Sequence, residues 1–165
     1  MDNSFEVVRS AVAGFAARVF EMHAAAEPAR IAFVYDEGSS TVFPLTVGVL
    51  PRKIEDAYRD KRKSDSDYQL LWNPEEFPIY ATQDLLLQID DAASEAIQSA
   101  IADDAGFFAQ IRSAINRGCH DANLALAAKH CIVFATDPEL VDVRANVAAI
   151  GNISAELAAE MPDWF

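Results

Sequence analysis

The sequence predicts an α+β domain in which a small, mostly antiparallel sheet is covered by helices on one face. Three observations indicate this class: an amphipathic run at the N-terminus, two β-rich runs around a short polar turn, and a late apolar run between helical patterns. A chain of 165 residues suits one domain with a real core, so we expect a single domain over residues 1–165.

The helices are predicted from apolar residues that recur at intervals of three and four. Such a stripe runs from Phe5 to Met22, and Pro28 follows it, which predicts a first helix over residues 4–26. The same periodicity predicts further helices over residues 83–102, 104–128, 138–150 and 153–160.

Three local signals refine these helices. Thr82 can cap the helix over residues 83–102, and Gly118 interrupts the next one, which we expect to be bent or split there. A short helical face is also expected around Ile54 and Tyr58, in a segment of mixed charge.

The strands are predicted from β-branched and aromatic runs bounded by turn residues. Residues 30–36 and 41–48 are expected to form a hairpin around an exposed polar turn. Because proline cannot donate to a ladder, Pro44 predicts that the second strand lies at an edge or is bulged there. Residues 68–72 are expected to be a third strand. Residues 130–136 are apolar on both faces, so we expect them to form a central strand.

The charge of the chain is −13 and unevenly distributed. Residues 1–64 hold nine acids and nine bases, whereas residues 65–165 hold seventeen acids and four bases. An acidic surface repels nucleic acid and anionic lipid, so we expect neither as a partner, and it attracts cationic proteins. Solubility alone is the alternative explanation.

The N-terminus and the hydropathy pattern bear on location. The first residues are acidic and lack the basic region of a signal peptide, and no apolar run is long enough to span a membrane. We therefore expect a cytoplasmic protein.

Two cysteine–histidine pairs, Cys119-His120 and His130-Cys131, contain residue types that bind zinc or act in nucleophilic catalysis. Adjacent residues point in different directions, and Cys119 belongs to an apolar helical stripe. We expect buried core cysteines and surface histidines. We therefore expect no metal ion, no cofactor and no catalytic residue.

Acidic residues next to predicted turns are the candidates for binding. Glu75 and Glu76 are framed by prolines and follow Trp72, so a pocket there could give the two carboxyl groups different pKa values. The candidate binding residues are Asp36, Glu37, Trp72, Glu75, Glu76 and Asp137. No phosphate-binding glycine loop, nucleophile elbow or zinc-protease motif is present in the sequence.

Three short motifs carry a resemblance to a known family. They are Tyr35-Asp36-Glu37 with Thr41-Val42-Phe43-Pro44, then Leu71-Trp72-Asn73-Pro74-Glu75-Glu76-Phe77, and finally Ile132-Val133-Phe134-Ala135-Thr136-Asp137. Together they resemble the bacterial family called domain of unknown function 4303. That family has no established catalytic site, and the resemblance implies a small acidic protein of the immunity type.

These observations give three hypotheses of function. The first is a non-enzymatic protein-binding domain that neutralises a cationic partner such as a toxin. The second is a small-molecule-binding module or a small hydrolase-like enzyme that uses carboxylates near residues 72–76. The third is a self-associating structural protein. The oligomeric state does not follow from the sequence.

Overall fold

The structure is a computed structural model that describes residues 2–39, 41–61, 65–104, 106–163 and 165. Its strands are β1 (Pro28–Val34), β2 (Leu45–Pro51), β3 (Ile79–Tyr80), β4 (Leu86–Leu87) and β5 (Ile132–Thr136). Its helices are α1 (Asp2–Met22), α2 (Arg52–Lys61), α3 (Asp65–Trp72), α4 (Asp91–Asp103), α5 (Phe107–Leu126), α6 (Val143–Ile150) and α7 (Ala155–Ala158). None of the helices within these ranges is long and apolar enough to cross a membrane.

The described strands form one sheet in the order β3-β2-β1-β5, with β4 also paired to β2. The pairs β1–β2, β2–β3 and β2–β4 are antiparallel, whereas β1 and β5 run parallel. The predicted α+β class and the mostly antiparallel sheet are therefore confirmed.

Strand β1 is buried along its whole length because both faces of the sheet are covered. On one face Phe33 contacts Phe15 of α1, with ring centroids 6.3 Å apart. On the other face Trp72 of α3 packs against Phe134 of β5 at 5.1 Å. The expectation that helices cover one face only is wrong, since α3 and the adjoining α2 cover the second face.

Residues 68–72 end helix α3, so the prediction of a strand there is wrong. Trp72 packs against Phe134 of β5 and Arg30 of β1, so this segment lies over a face of the sheet and does not join its ladder. The helix ends where Asn73 adopts an extended conformation before Pro74, as expected for a residue that precedes proline.

Strand β2 begins at Leu45, four residues later than the predicted 41–48, and it lies inside the sheet. The prediction of an edge strand is wrong because Pro44, which follows a cis peptide bond, lies before the ladder. Ser40, the last residue of the predicted hairpin turn, lies outside the described residues.

The predicted helix over residues 83–102 is two different elements. Leu86 and Leu87 form β4, and α4 begins only at Asp91. The N-cap is Asp90, whose side chain accepts a hydrogen bond of 2.9 Å from the backbone N–H of Ala93. Thr82 instead precedes a short 3-10 turn. The helices predicted from residues 104 and 138 likewise begin later, at Phe107 and Val143.

Helices α1 and α5 pack closely at Gly118. A Cβ atom at this position would lie 2.6 Å from Val12 Cβ and 2.7 Å from the carbonyl oxygen of Arg9. Helix α5 runs through Gly118 without a break, so the predicted split at this glycine is wrong. Glycine is needed here for close approach to α1.

Strand β5 lies at an edge of the sheet, not in its centre as predicted. Asn123 of α5 covers that edge: its Oδ1 accepts from the N–H of Val133 at 2.6 Å, and its Nδ2 donates to the same residue's carbonyl at 2.9 Å. Asn146 of α6 donates to the carbonyl of Ala135 at 3.1 Å. Two asparagine side chains thus satisfy backbone groups that a further strand would otherwise bind.

Candidate functional site: an acidic groove at one end of the sheet

The parallel pairing of β1 and β5 brings two turns together. Val34 pairs with Thr136, and the N–H of Tyr35 donates to the carbonyl of Thr136 at 3.1 Å. Asp36 directly follows Tyr35 in the chain, and Asp137 directly follows Thr136. Because neighbouring parallel strands finish at the same end of a sheet, both carboxylates lie beside one depression.

This depression has a volume of about 490 Å³ and is rich in carboxylates. It contains one guanidinium, that of Arg112. Its lining residues include Asp36, Glu37, Asp137, Glu139, Asp142 and Arg112. The side chain of Val141, 70% exposed, adds an apolar group to the rim.

A second depression of about 330 Å³ adjoins the first, since Asp36 and Pro138 line both. Glu75 and Tyr80 lie on its far side, together with hydroxyl side chains of the loop after β1. Burial and the nearby charge of Glu75 raise the pKa of Tyr80 above its ordinary value, which keeps its hydroxyl protonated. We call the two depressions together the acidic groove; its carboxylates are Asp36, Glu37, Glu75, Asp137, Glu139 and Asp142.

A hydrogen-bonded network forms one wall of the groove. The hydroxyl of Tyr35 donates to Asp142 Oδ2 at 3.0 Å and accepts from Asn146 Nδ2 at 2.6 Å. Burial raises the pKa of Tyr35 well above its ordinary value, so this hydroxyl remains a donor at neutral pH. Asn116 of α5 extends the network by donating to Asn146 Oδ1 at 2.9 Å.

Arg112 is held by the same network. Its Nη1 donates to Asp142 Oδ2 at 2.7 Å, which partly neutralises one groove carboxylate. Partial burial lowers the pKa of Arg112, but the contact with Asp142 outweighs it and the net change is a rise. Arg112 therefore stays charged and orders the wall without cancelling the other carboxylates.

The turn after β5 is ordered by Asp137. Its Oδ1 accepts a hydrogen bond of 2.7 Å from the N–H of Asp142, and its carbonyl accepts from the N–H of Leu140 at 3.2 Å. Leu140 has a φ of 64°, a left-handed conformation that this turn holds in place. The turn leaves Glu139 exposed at the groove.

Four of the six candidate binding residues lie along this groove: Asp36, Glu37, Glu75 and Asp137. Glu76 is exposed and is not part of either lining. Trp72 is fully buried beneath the guanidinium of Arg30, whose Cζ lies 4.4 Å from the ring centroid. It is a core residue, and the groove forms without it.

Three groove residues were missed from the sequence: Arg112, Glu139 and Asp142. Glu139 follows Asp137-Pro138 directly and could have been found as part of the same turn. Asp142 is the residue before α6, where acidic residues are common. Arg112 carried no local signal, because only the packing of α5 beside α6 brings it to Asp142.

The two cysteine–histidine pairs are far from a reactive arrangement. Cys119 and Cys131 are buried free thiols, and burial raises the pKa of both, that of Cys131 to about 12. His120 Nδ1 lies 2.8 Å from the carbonyl oxygen of Ile150, and His130 is exposed. Among the described residues, no group of three or more His, Cys, Asp or Glu side chains is placed to hold a metal ion.

Comparisons of the chain with models of protein families, with curated proteins and with solved structures found no match. The resemblance to domain of unknown function 4303 therefore stays a prediction, and function is inferred from the geometry of the acidic groove.

Proposed function

We propose that this protein is a non-enzymatic binding domain whose acidic groove binds a cationic protein, as an immunity protein binds a toxin. The observation that carries the proposal is the convergence of six carboxylates, from three separate segments, on two adjoining depressions. Among the described lining residues the only cationic group is Arg112, and Asp142 already engages it.

The electrostatics of the groove favour a cationic partner. Carboxylates clustered in a concave surface raise the local negative potential, which attracts a basic partner at long range and accelerates association. The net charge of −13 adds to this attraction, because the acids elsewhere in residues 65–165 carry the same sign. Such binding weakens as salt screens the charges.

The rim of the groove also suits basic side chains. Lysine and arginine have long apolar stems that pack on apolar surface while their charged heads reach acceptors. Val141 offers such a surface, and the carboxylates of Glu139 and Asp142 are close to it in the sequence. A basic segment laid along the groove would use both features.

The test is a binding experiment with the product of the gene that adjoins the one for this protein. We expect a complex at low salt that weakens at moderate salt, and a weaker complex when Glu37→Lys and Glu139→Lys are combined. The matched control is Glu95→Lys with Asp103→Lys, which changes the net charge equally at exposed positions on α4. No complex at either salt would contradict the immunity-type function.

A small cationic molecule is the second candidate ligand. The volumes of about 490 and 330 Å³ fall in the range of small-molecule sites. Titration with spermidine, a small polyamine, would test this candidate. Saturable one-to-one binding that the groove variant loses and the α4 variant keeps would favour a small ligand.

A further inference from the structure

A cluster of four charged side chains lies at the other end of β1 from the acidic groove. Arg30 donates from Nε and Nη2 to Glu55 Oε1 of α2, at 2.8 and 2.7 Å. Arg59 of α2 donates from Nη1 and Nη2 to the two carboxylate oxygens of Glu160, at 2.6 and 3.0 Å. The two halves are linked, because Arg59 Nη2 also lies 3.2 Å from Glu55 Oε1 and Arg30 Nη2 lies 3.7 Å from Glu160 Oε2.

The cluster has more donors than acceptors. The side chain of Arg30 is 0% exposed, yet its Nη1 has no hydrogen-bond partner within the part of the chain that the structure describes. The indole Nε1 of Trp72, which stacks on the same guanidinium, also lacks one. A buried donor without an acceptor is costly, so a further acceptor oxygen would stabilise this cluster.

Glu160 belongs to the C-terminal segment, which we define as residues 151–165. The segment starts at Gly151, with a φ of 76°, and the α-helix among its described residues is the short α7. Arg144 holds its end by donating from Nη2 to the carbonyl oxygens of Met161 and Pro162, at 3.3 and 2.8 Å. Met161 is buried in the core, so the backbone is anchored next to Glu160, whereas the side chain of Glu160 itself is 20% exposed.

A cleft of about 530 Å³ separates this segment from α2. Residues of the C-terminal segment, including Ser154 and Leu157, form one wall. Helix α2 contributes two basic and two acidic residues to the other: Arg52, Arg59, Glu55 and Asp56. Cys131 and Asn123 also line it. Arg59 thus faces both the cleft and Glu160.

We propose that Arg30 and Arg59 form an oxyanion-binding site that Glu160 occupies in the resting protein. The carboxylate or phosphate group of a ligand bound in the cleft takes the place of the Glu160 carboxylate. The paired donors of Arg59 match the two oxygens of a carboxylate, and the same fork fits a phosphate. Without Glu160 the guanidinium groups of Arg30 and Arg59, together with that of Arg52 at 3.6 Å from Glu55 Oε2, share only the carboxylate of Glu55. An external oxyanion corrects this imbalance.

The test compares the wild-type protein with the Glu160→Ala variant by calorimetric titration at constant ionic strength. Inorganic phosphate is the probe in one series and succinate in another, so the two series show which oxyanion the site prefers. The carboxylate of Glu160 competes with the added oxyanion, and the apparent affinity of the wild type is reduced to the fraction of molecules in which the site is free of Glu160. We therefore expect the Glu160→Ala variant to bind the oxyanion about tenfold more tightly or better. Adding Arg59→Gln to this variant should abolish the binding.

Two further variants make the result decisive. Glu156→Ala removes an exposed acid from the same segment and should bind the probes like the wild type. Glu160→Gln keeps the shape of the side chain, loses its charge, and provides the measurement if the alanine variant does not fold. The proposal is overturned if neither Glu160 variant binds an oxyanion more tightly than the wild type, or if Glu156→Ala gains the same affinity. Because none of these residues lines the acidic groove, either result leaves the proposed function to its own test.

Discussion

Asp36 and Asp137 lie beside the same depression because the strands that precede them, β1 and β5, are parallel neighbours. Sequence separates the two residues by about a hundred positions, and the paired positions Val34 and Thr136 fix how the two turns meet. The acidic groove is therefore a product of the sheet topology.

The edge of β5 should depend on Asn123. Replacing Asn123 by alanine removes both hydrogen bonds to Val133 and leaves two buried backbone groups without partners. We expect the free energy of unfolding to fall by about 2–4 kcal/mol. Urea denaturation measures it, and Leu124→Ala, at the exposed neighbouring position, should change it by less than about 0.5 kcal/mol. Equal effects would show that Asn123 does not protect the edge.

The stability of the protein should respond oppositely to substitution of two glycines, Gly118 at the contact of α1 with α5 and Gly14 at an exposed position of α1. Gly118→Ala places a methyl group 2.6 Å from Val12 Cβ, so we expect a loss of about 1–3 kcal/mol of stability. Gly14→Ala, in α1, meets only Arg18 Nη1 at 3.8 Å and should gain about 0.5–1 kcal/mol. Thermal unfolding of both variants checks the sign of each effect. A tolerated Gly118→Ala would show that the helices separate easily.

Glu55 should make the protein sensitive to acid. Burial raises the pKa of Glu55, but the charges of Arg30 and Arg59 outweigh it and hold the pKa below its ordinary value. Its stabilising contribution is thus complete above the ordinary carboxyl range and is lost as pH falls through the lower, folded-state pKa. We expect Glu55→Gln to cost about 3–5 kcal/mol at neutral pH and to flatten the loss of stability in acid.

The measurement for Glu55 is the free energy of unfolding in urea between neutral pH and about pH 3. Asp56→Asn is the matched control, since Asp56 is the exposed neighbour on the same helix. If the variant at Glu55 and the wild type lose stability in parallel as the pH falls, other carboxylates cause the acid sensitivity.

Both cysteines should be unreactive in the folded protein. Burial raises the pKa of Cys119 and Cys131, so almost no thiolate forms at neutral pH, and the two residues are 0% and 5% exposed. A colourimetric thiol assay should detect no rapid reaction before denaturant is added and both thiols afterwards. Rapid modification of Cys131 in the native state would reopen the possibility of a nucleophilic cysteine.

The sequence predicted elements where one strong pattern acts alone. The apolar stripe from Phe5 to Met22 gave α1, and the apolar run before Asp137 gave β5. The sequence-based predictions were wrong where two patterns compete. Leu71 and Trp72 end a β-rich run that is helical in the structure, and the helix cap is Asp90 instead of Thr82.

The candidate site was predictable only in part. Asp36 and Asp137 could be singled out because carboxylates directly follow strands, but nothing local indicates that β1 and β5 are neighbours. The ion pair of Arg30 and Glu55 was also missed, since the sequence does not show that an arginine at the start of β1 is fully buried. Both features depend on contacts between distant segments.

The affinity of the protein for decalysine, a cationic peptide, tests the role of the acidic groove most directly. The comparison is between two variants of equal net charge, Glu37→Lys with Glu139→Lys and Glu95→Lys with Asp103→Lys. If the groove concentrates the negative potential, the groove variant should bind about tenfold more weakly than the α4 variant at low salt. Equal affinities of the two variants would contradict the groove as the binding surface and would show that the peptide responds to the net charge of the protein alone.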